Sequence, residues 1–277
     1  MQPYVRGDKP ALSNKPSGPN LAAHLVFGEL ARLGHDADAN RRLVEQAAAV
    51  AFDDNAQPLE AVPSHSEMSD AVFMACPILA RAGAMTGDPR YFDMCVRHLR
   101  FMRRLCVRDD GLYRHSPLDE AAWGRGNGFP ALGLALTLSE MPADHPLRAE
   151  VLDAFRAHIE ALSPHQEATG MWHQIIDRPE SYRELSATCM ITFAVARGVR
   201  RGWLDREQHE PIVARAWNAI NARIADDSSL VDVCTGTGKQ RSLRAYYDRP
   251  AILGRDARGG AMALLAATEI AALEASR

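Results

Sequence analysis

The chain has little of what would make it a nucleic-acid, membrane or structural-zinc protein. No basic run exceeds three residues and the net charge is −3, which excludes a dedicated nucleic-acid partner. No apolar stretch approaches the length of a membrane span. The N-terminal region also lacks a basic start followed by an apolar run. These absences lead to the expectation of a cytoplasmic chain with no membrane partner. No CxxC or HxxxH spacing occurs, so no structural metal is expected. The cysteines, Cys76, Cys95, Cys106, Cys189 and Cys234, are odd in number and scattered. Cys76, Cys95 and Cys189 lie in apolar helical segments, where a free thiol behaves as a small hydrophobe.

What is present is an ordinary globular composition, 47% apolar and 24% charged over 277 residues, enough for a sizeable core. Helical periodicity dominates and strand-like alternation is nearly absent. The pattern predicts helices at 20–34, 36–52, 69–86, 88–107, 127–141, 144–162, 182–202, 206–225 and 256–275. Gly34 and Gly202 suit helix ends, and Gly87, Asp88 and Pro89 read as stop, N-cap and first-turn proline. Asp144 and Asp205 read as further starts. Pro77 falls inside an apolar pattern, so a kink is expected there.

The predicted connections alternate in length. Helix pairs at 20–52, 69–107, 127–162 and 182–225 are joined by tight turns, and the links between pairs, at 53–68, 108–126, 163–181 and 226–255, are long. Acidic turn residues recur at Asp36, Asp88, Asp144 and Asp205, a loose repeat of about 50–60 residues. Antiparallel hairpins stacked side by side put the short turns at one end and the long loops at the other. The expected fold is therefore all-α, an α/α toroid or solenoid of helical hairpins. Residues 1–19 form an irregular, proline-rich N-terminal segment, and 20–277 form one α/α domain.

The long loops carry His65, Tyr113, His115, Trp123, Arg125, His165, Trp172, His173, Tyr182, Tyr246 and Tyr247. Aromatic residues plugging a barrel mouth would account for any one of them. As a set they suit a sugar, which needs aromatic faces for its C–H surfaces and convergent polar groups for its hydroxyls. The densest stretch is Tyr113-Arg114-His115 followed by Trp123-Gly124-Arg125-Gly126-Asn127-Gly128. Here Arg125 offers a fork suited to a carboxylate, and His115 can hydrogen-bond or move a proton.

Asp70 opens a helix whose following face is apolar. It reads either as an acidic first-turn residue favoured by the helix dipole or as a carboxyl desolvated beside Phe73 and Met74, able to donate a proton. Thr235-Gly236-Thr237-Gly238-Lys239 lacks the leading glycine and following Ser/Thr of a phosphate loop and is assigned to a turn. No cofactor is expected.

Four segments match a known family in order. They are Ser69-Asp70-Ala71-Val72-Phe73-Met74-Ala75-Cys76-Pro77; Gly111 to His115 with Trp123 to Gly128; Gly170-Met171-Trp172-His173 with Ser181 to Thr188; and Tyr246-Tyr247-Asp248-Arg249-Pro250 with Asp256 to Gly260. Over roughly residues 60–275 the chain resembles the unsaturated rhamnogalacturonyl hydrolases of glycoside hydrolase family 105, which are related to the unsaturated glucuronyl hydrolases of family 88. The resemblance implies an (α/α)6 barrel that hydrates the 4,5-unsaturated uronic acid left by polysaccharide lyases on a small acidic oligosaccharide. It assigns the catalytic role to Asp70 and places His115 and Arg125 at the site, the arginine on the uronate carboxylate. Trp123, Phe129, Met74, Trp172, His173 and Asn20 complete the expected substrate-binding set.

The chain departs from the family at several points. Met68 and Phe129 stand where tryptophans are usual, and Asn20 stands near the place of a second aspartate, keeping hydrogen bonds but not charge. Nine predicted helices against the family's twelve leave the barrel incomplete at its N-terminus or closed by a partner chain, so a homo-oligomer is open. Two other readings stand beside the hydrolase: an impaired homologue that binds acidic sugars, and an α/α-barrel sugar epimerase or isomerase.

Overall fold

The structure is a computed structural model that describes residues 1–64 and 67–276. His65, one of the loop histidines noted above, lies outside the described residues. The chain order is α1 (Gln2–Val5), α2 (Gly18–Ala23), α3 (Leu25–Arg32), α4 (Ala37–Ala49), α5 (Ala71–Thr86), α6 (Pro89–Cys106), α7 (Gly124–Glu140), α8 (Arg148–Leu162), α9 (Leu185–Arg200) and α10 (Arg206–Asn221). A two-stranded antiparallel ribbon follows, β1 (Leu230–Cys234) and β2 (Ala251–Gly254), with the short α11 (Leu243–Tyr247) between its strands. The chain ends with α12 (Ala257–Glu274).

The expected hairpins form. α3 packs on α4, α5 on α6, α7 on α8 and α9 on α10, while α2, α5, α7, α9 and α12 contact one another in sequence as an inner row. Composition explains the division. α5, α7 and α9 are rich in Ala, Gly, Cys, Thr and Leu and are buried on nearly every side. α6 alternates a buried Phe92, Cys95, Val96 and Leu99 face with arginines, as an outer amphipathic helix must. Small residues let the inner helices approach closely. A Cβ on Gly133 of α7 would lie 2.7 Å from the Cα of Phe73 in α5. We therefore expect Gly133→Ala to cost about 1–3 kcal/mol in chemical denaturation through overpacking. An unchanged midpoint would mean that the two backbones are not this close.

Short turns and long loops segregate to opposite ends, as the lengths predict. At the short-turn end Arg81 bridges Glu29 and Glu140, each at 2.7 Å, and Arg197 and Arg200 flank the buried Glu269. Gly87 ends α5 in the left-handed conformation that glycine tolerates, its N–H on the Gly83 carbonyl. At the other end the long loops bond to one another. Ser69 N–H donates to His115 O, Ile176 N–H to Ala122 O and Gly124 N–H to Gln174 O.

Several local expectations change. The helix predicted at 20–34 is two, broken at His24, whose Nδ1 lies 2.7 Å from the Asn20 carbonyl that a continuous helix would have used. α5 runs unbroken through Pro77. α8 begins at Arg148, so Asp144 is not its cap. Asp88 and Asp205 do cap their helices, accepting from Arg90 N–H and Gln208 N–H. The ribbon and α11 lie in the stretch read as a single long link. Among the described residues no helix is long and apolar enough to cross a membrane.

Candidate active site

The site is built where the long loops meet the first turns of α5 and α7. Asp70 stands at the N-cap position of α5 with helical backbone angles, φ −52° and ψ −29°, and its side chain makes no capping bond. The backbone explains why none is needed. Ala71, Val72 and Phe73 N–H groups already donate to the carbonyls of Met68, Ser69 and Asp70, which satisfies the donors a cap would serve. The carboxyl group is instead buried, with Oδ1 at 3.3 Å from His115 Nε2. The carboxyl is therefore not a hydrogen-bonding cap, although its place at the helix start still suits a negative charge.

His115 is fully enclosed. Its Nδ1 is 2.8 Å from the Tyr246 hydroxyl, and its ring lies 4.5 Å from that of Trp123. The Asp70 Oδ1 and His115 Nε2 atoms are within ion-pair reach but not aligned as a hydrogen bond, and neither has another protein partner among the described residues. Beside them the Ser69 hydroxyl is buried and unpartnered as well. Three enclosed polar atoms without partners at one point are unusual in a folded core and mark a place built for something other than stability.

Trp123 is buried. Its indole N–H donates to Gln174 Oε1 at 3.2 Å, and the Arg125 guanidinium lies over its ring at 4.8 Å. The stretch from Gly124 to Gly126 is not loop, as expected, but the first turn of α7, which begins three residues earlier than its periodicity suggests. Tertiary packing overrides the poor helix propensity of its glycines. A Cβ on Gly124 would meet the His173 carbonyl at 2.8 Å, so this helix end must be bare to approach the neighbouring loop.

Arg125 departs most from expectation. Its guanidinium is not a free clamp: Nη1 donates to Cys234 O at 2.5 Å and to Ser186 Oγ at 3.3 Å, and Nη2 to Thr235 O at 2.6 Å. A buried guanidinium must satisfy its donors, and the carbonyls after β1 are what surrounds it. Three of its five N–H groups are thus engaged.

A family model described as Glycosyl Hydrolase Family 88 matches residues 53–274, a span that contains every one of these groups. The chain belongs to that family. An unsaturated 3S-rhamnoglycuronyl hydrolase from Alteromonas sp. is 30% identical over 174 residues, covering 58% of this chain and 42% of its own. The unsaturated rhamnogalacturonyl hydrolase YesR of Bacillus subtilis is 28% identical over 192 residues, covering 66% of this chain and 53% of its own. The chain thus spans about half the length of the curated relatives it matches. A solved structure from Klebsiella pneumoniae, described as a possible member of the GH105 family, superposes with a TM-score of 0.80 at 22% identity, over 96% of this chain and 73% of that one. That likeness establishes the helical toroid fold.

Within this family 88 chain, Phe129 and Met74 lie on α7, which carries Arg125, and on α5, which follows Asp70. Phe129 stacks on Phe73 at 5.5 Å between the first turns of α7 and α5, and Met74 is buried one residue beyond. Three expected site residues are elsewhere engaged. Trp172 is fully buried in the core with its indole N–H on Leu162 O at 2.8 Å, so it offers no face to a sugar. His173 is bound at Nδ1 to Ser181 O (2.6 Å) and lies at Nε2 3.3 Å from Glu167, with no bond to Asp70, His115 or Arg125. Asn20 spends both polar side-chain atoms on the N-terminal segment, on Ala11 O and Ser13 N–H. It does not stand in for a second acid beside Asp70.

Two residues outside the expected catalytic and substrate-binding set complete the site: Glu184, and Tyr246, expected only as one of the loop aromatics. Glu184 is a fully buried N-cap of α9 that accepts from Ser186 N–H, Ser186 Oγ, Ala187 N–H and Cys234 N–H. Between them Glu184 and Arg125 hold both backbone groups of Cys234, its N–H and its carbonyl. Tyr246 on α11 reaches His115 from 131 positions away. Residues 235–239, assigned to a turn, form an irregular link after β1, and their Lys239 pairs with Glu67, three residues before Asp70. Among the described residues no group of three or more His, Cys, Asp or Glu is placed to hold a metal ion.

Proposed function

We propose that the chain is a hydrolase that removes a 4,5-unsaturated uronic acid from the non-reducing end of a lyase-generated acidic oligosaccharide. The observation that carries this reading is Asp70, a buried carboxyl excused from capping and set against His115 in a chain of family 88. The names of its curated relatives, hydrolases of unsaturated rhamnoglycuronyl and rhamnogalacturonyl substrates, supply the substrate class.

In this reading Asp70 gives its proton to C4 of the vinyl ether. The charge that develops at C5 is stabilised by the ring oxygen. Water adds at C5 and loses a proton to the Asp70 carboxylate, regenerating the acid. The hemiketal then opens and releases the remaining saccharide with its hydroxyl protonated. His115 lies beside the reacting ring with Trp123 packed against it, and Phe129 and Met74 form the apolar wall. Arg125 keeps two N–H groups without a partner among the described residues, enough for one contact with the uronate carboxylate. The free, buried cysteines suit the reducing interior of a cell.

The test is an assay on unsaturated disaccharides prepared with a lyase, following the loss of ultraviolet absorbance as the double bond is hydrated. Loss of absorbance with release of the second sugar is the expected result. Binding without turnover would replace the hydrolase with a sugar-binding homologue.

A further inference from the structure

We propose that Tyr246 is a positioning residue that fixes the tautomer of His115: its phenol donates to Nδ1 and so keeps the ring proton on Nε2, facing Asp70. This rests on the reading of Asp70 as the proton donor. It adds a residue from the far end of the chain whose only link to the chemistry is through the histidine.

Of the two neutral tautomers, the geometry favours one. A neutral imidazole carries a single N–H, and the hydrogen bond made by one nitrogen decides which holds it. His115 is fully enclosed, with Tyr246 Oη at 2.8 Å on one side and Asp70 Oδ1 at 3.3 Å on the other. The phenol oxygen accepts from Gln240 N–H at 3.3 Å and from the Ser116 hydroxyl, which leaves its own proton for Nδ1. Burial pushes the Tyr246 phenol up to about 12, which keeps that proton in place at neutral pH. Donation to Nδ1 then leaves Nε2–H toward Oδ1. The opposite tautomer would turn a bare nitrogen lone pair on the carboxylate oxygen that Asp70 leaves once it has given up its proton, in an enclosed space.

Tyr246 is held rigidly enough to act this way. Its backbone carbonyl accepts from Gln174 Nε2 at 3.2 Å, and its ring is tilted against Trp123 at 6.4 Å. Gln174 also receives the Trp123 indole N–H, so one buried amide aligns both aromatic neighbours of His115. The function of the arrangement is to present a fixed donor to Oδ1. When Asp70 has released its proton, the new carboxylate finds Nε2–H in place, and the short remaining distance closes as the complex tightens.

The experiment uses the whole chain labelled with 15N-histidine. His115→Gln identifies the His115 resonances, and ring couplings at neutral pH report the tautomer without substrate. We expect Nε2–H in the wild type and a shift toward Nδ1–H in Tyr246→Phe. In the disaccharide assay the same variant should lose about tenfold in kcat while KM changes by less than about threefold. An Nδ1–H tautomer in the wild type, or an unchanged tautomer in Tyr246→Phe, overturns the proposal. The tautomer is read in the ligand-free protein, so it decides the role of Tyr246 separately from whether these sugars are the substrates. Absence of wild-type turnover would sink the hydrolase reading instead.

Discussion

Asp70→Asn is expected to lower kcat by about a thousandfold or more, with the fold intact. An amide has the shape of the carboxyl and can still accept from His115, but it has no proton to give to C4. The stability side of the prediction follows from the first turn of α5. Its leading N–H groups are bonded to the carbonyls of residues 68–70 and the carboxylate caps nothing, so no helix hydrogen bond is lost. The change in unfolding free energy should stay within about 1 kcal/mol. Paired measurement of kcat and of the denaturation midpoint decides the matter. A variant that turns over at the wild-type rate removes Asp70 from the mechanism, and one that loses activity together with its fold makes Asp70 a structural residue.

The largest effect on stability is expected from Glu184→Ala, a loss of about 3 kcal/mol or more. The carboxylate is fully buried and accepts from three backbone N–H groups and one hydroxyl. Alanine leaves those donors enclosed with no water to replace the lost acceptor, and each orphan costs on the order of 1–3 kcal/mol before relaxation. The damage spreads into the site. Cys234 N–H is one of the donors, and its carbonyl is what Arg125 holds; Ser186 Oγ bridges Glu184 and Arg125. Activity should therefore fall with stability. Glu184→Gln, which retains one oxygen acceptor, should lie between wild type and alanine. A melting temperature for Glu184→Ala within a few degrees of wild type would contradict this account, since the expected shift is on the order of 10 °C.

Part of the site could be read from residues close in sequence. Asp70 sits where an apolar helix begins, and His115, Trp123 and Arg125 fall within one predicted loop, so their convergence at one end followed from loop lengths alone. The errors share a cause. Trp172 and Trp123 are both buried loop-end tryptophans, yet one donates to a core carbonyl and the other packs against His115, and no local pattern separates them. Asn20 was placed by its position relative to Asp70, but its partners are Ala11 and Ser13, in a segment with no periodicity to interpret. Glu184 looks in sequence like any exposed glutamate in the first turn of a helix. Its burial depends on β1, a strand too short to stand out in a long link.

Hairpin order, the all-helical architecture and the end at which chemistry gathers were properties of the amino-acid order, because helical periodicity and turn chemistry are decided within a few residues. The choice of which polar groups are enclosed, and with what partners, belonged to the tertiary structure. Asp70 meets His115, His115 meets Tyr246, and Arg125 is drawn onto Cys234 only when the inner helices pack. Burial removes water as an alternative partner, so each group must settle on whatever donor or acceptor the packing brings. That is a contact between residues up to 131 positions apart, which no local spacing encodes.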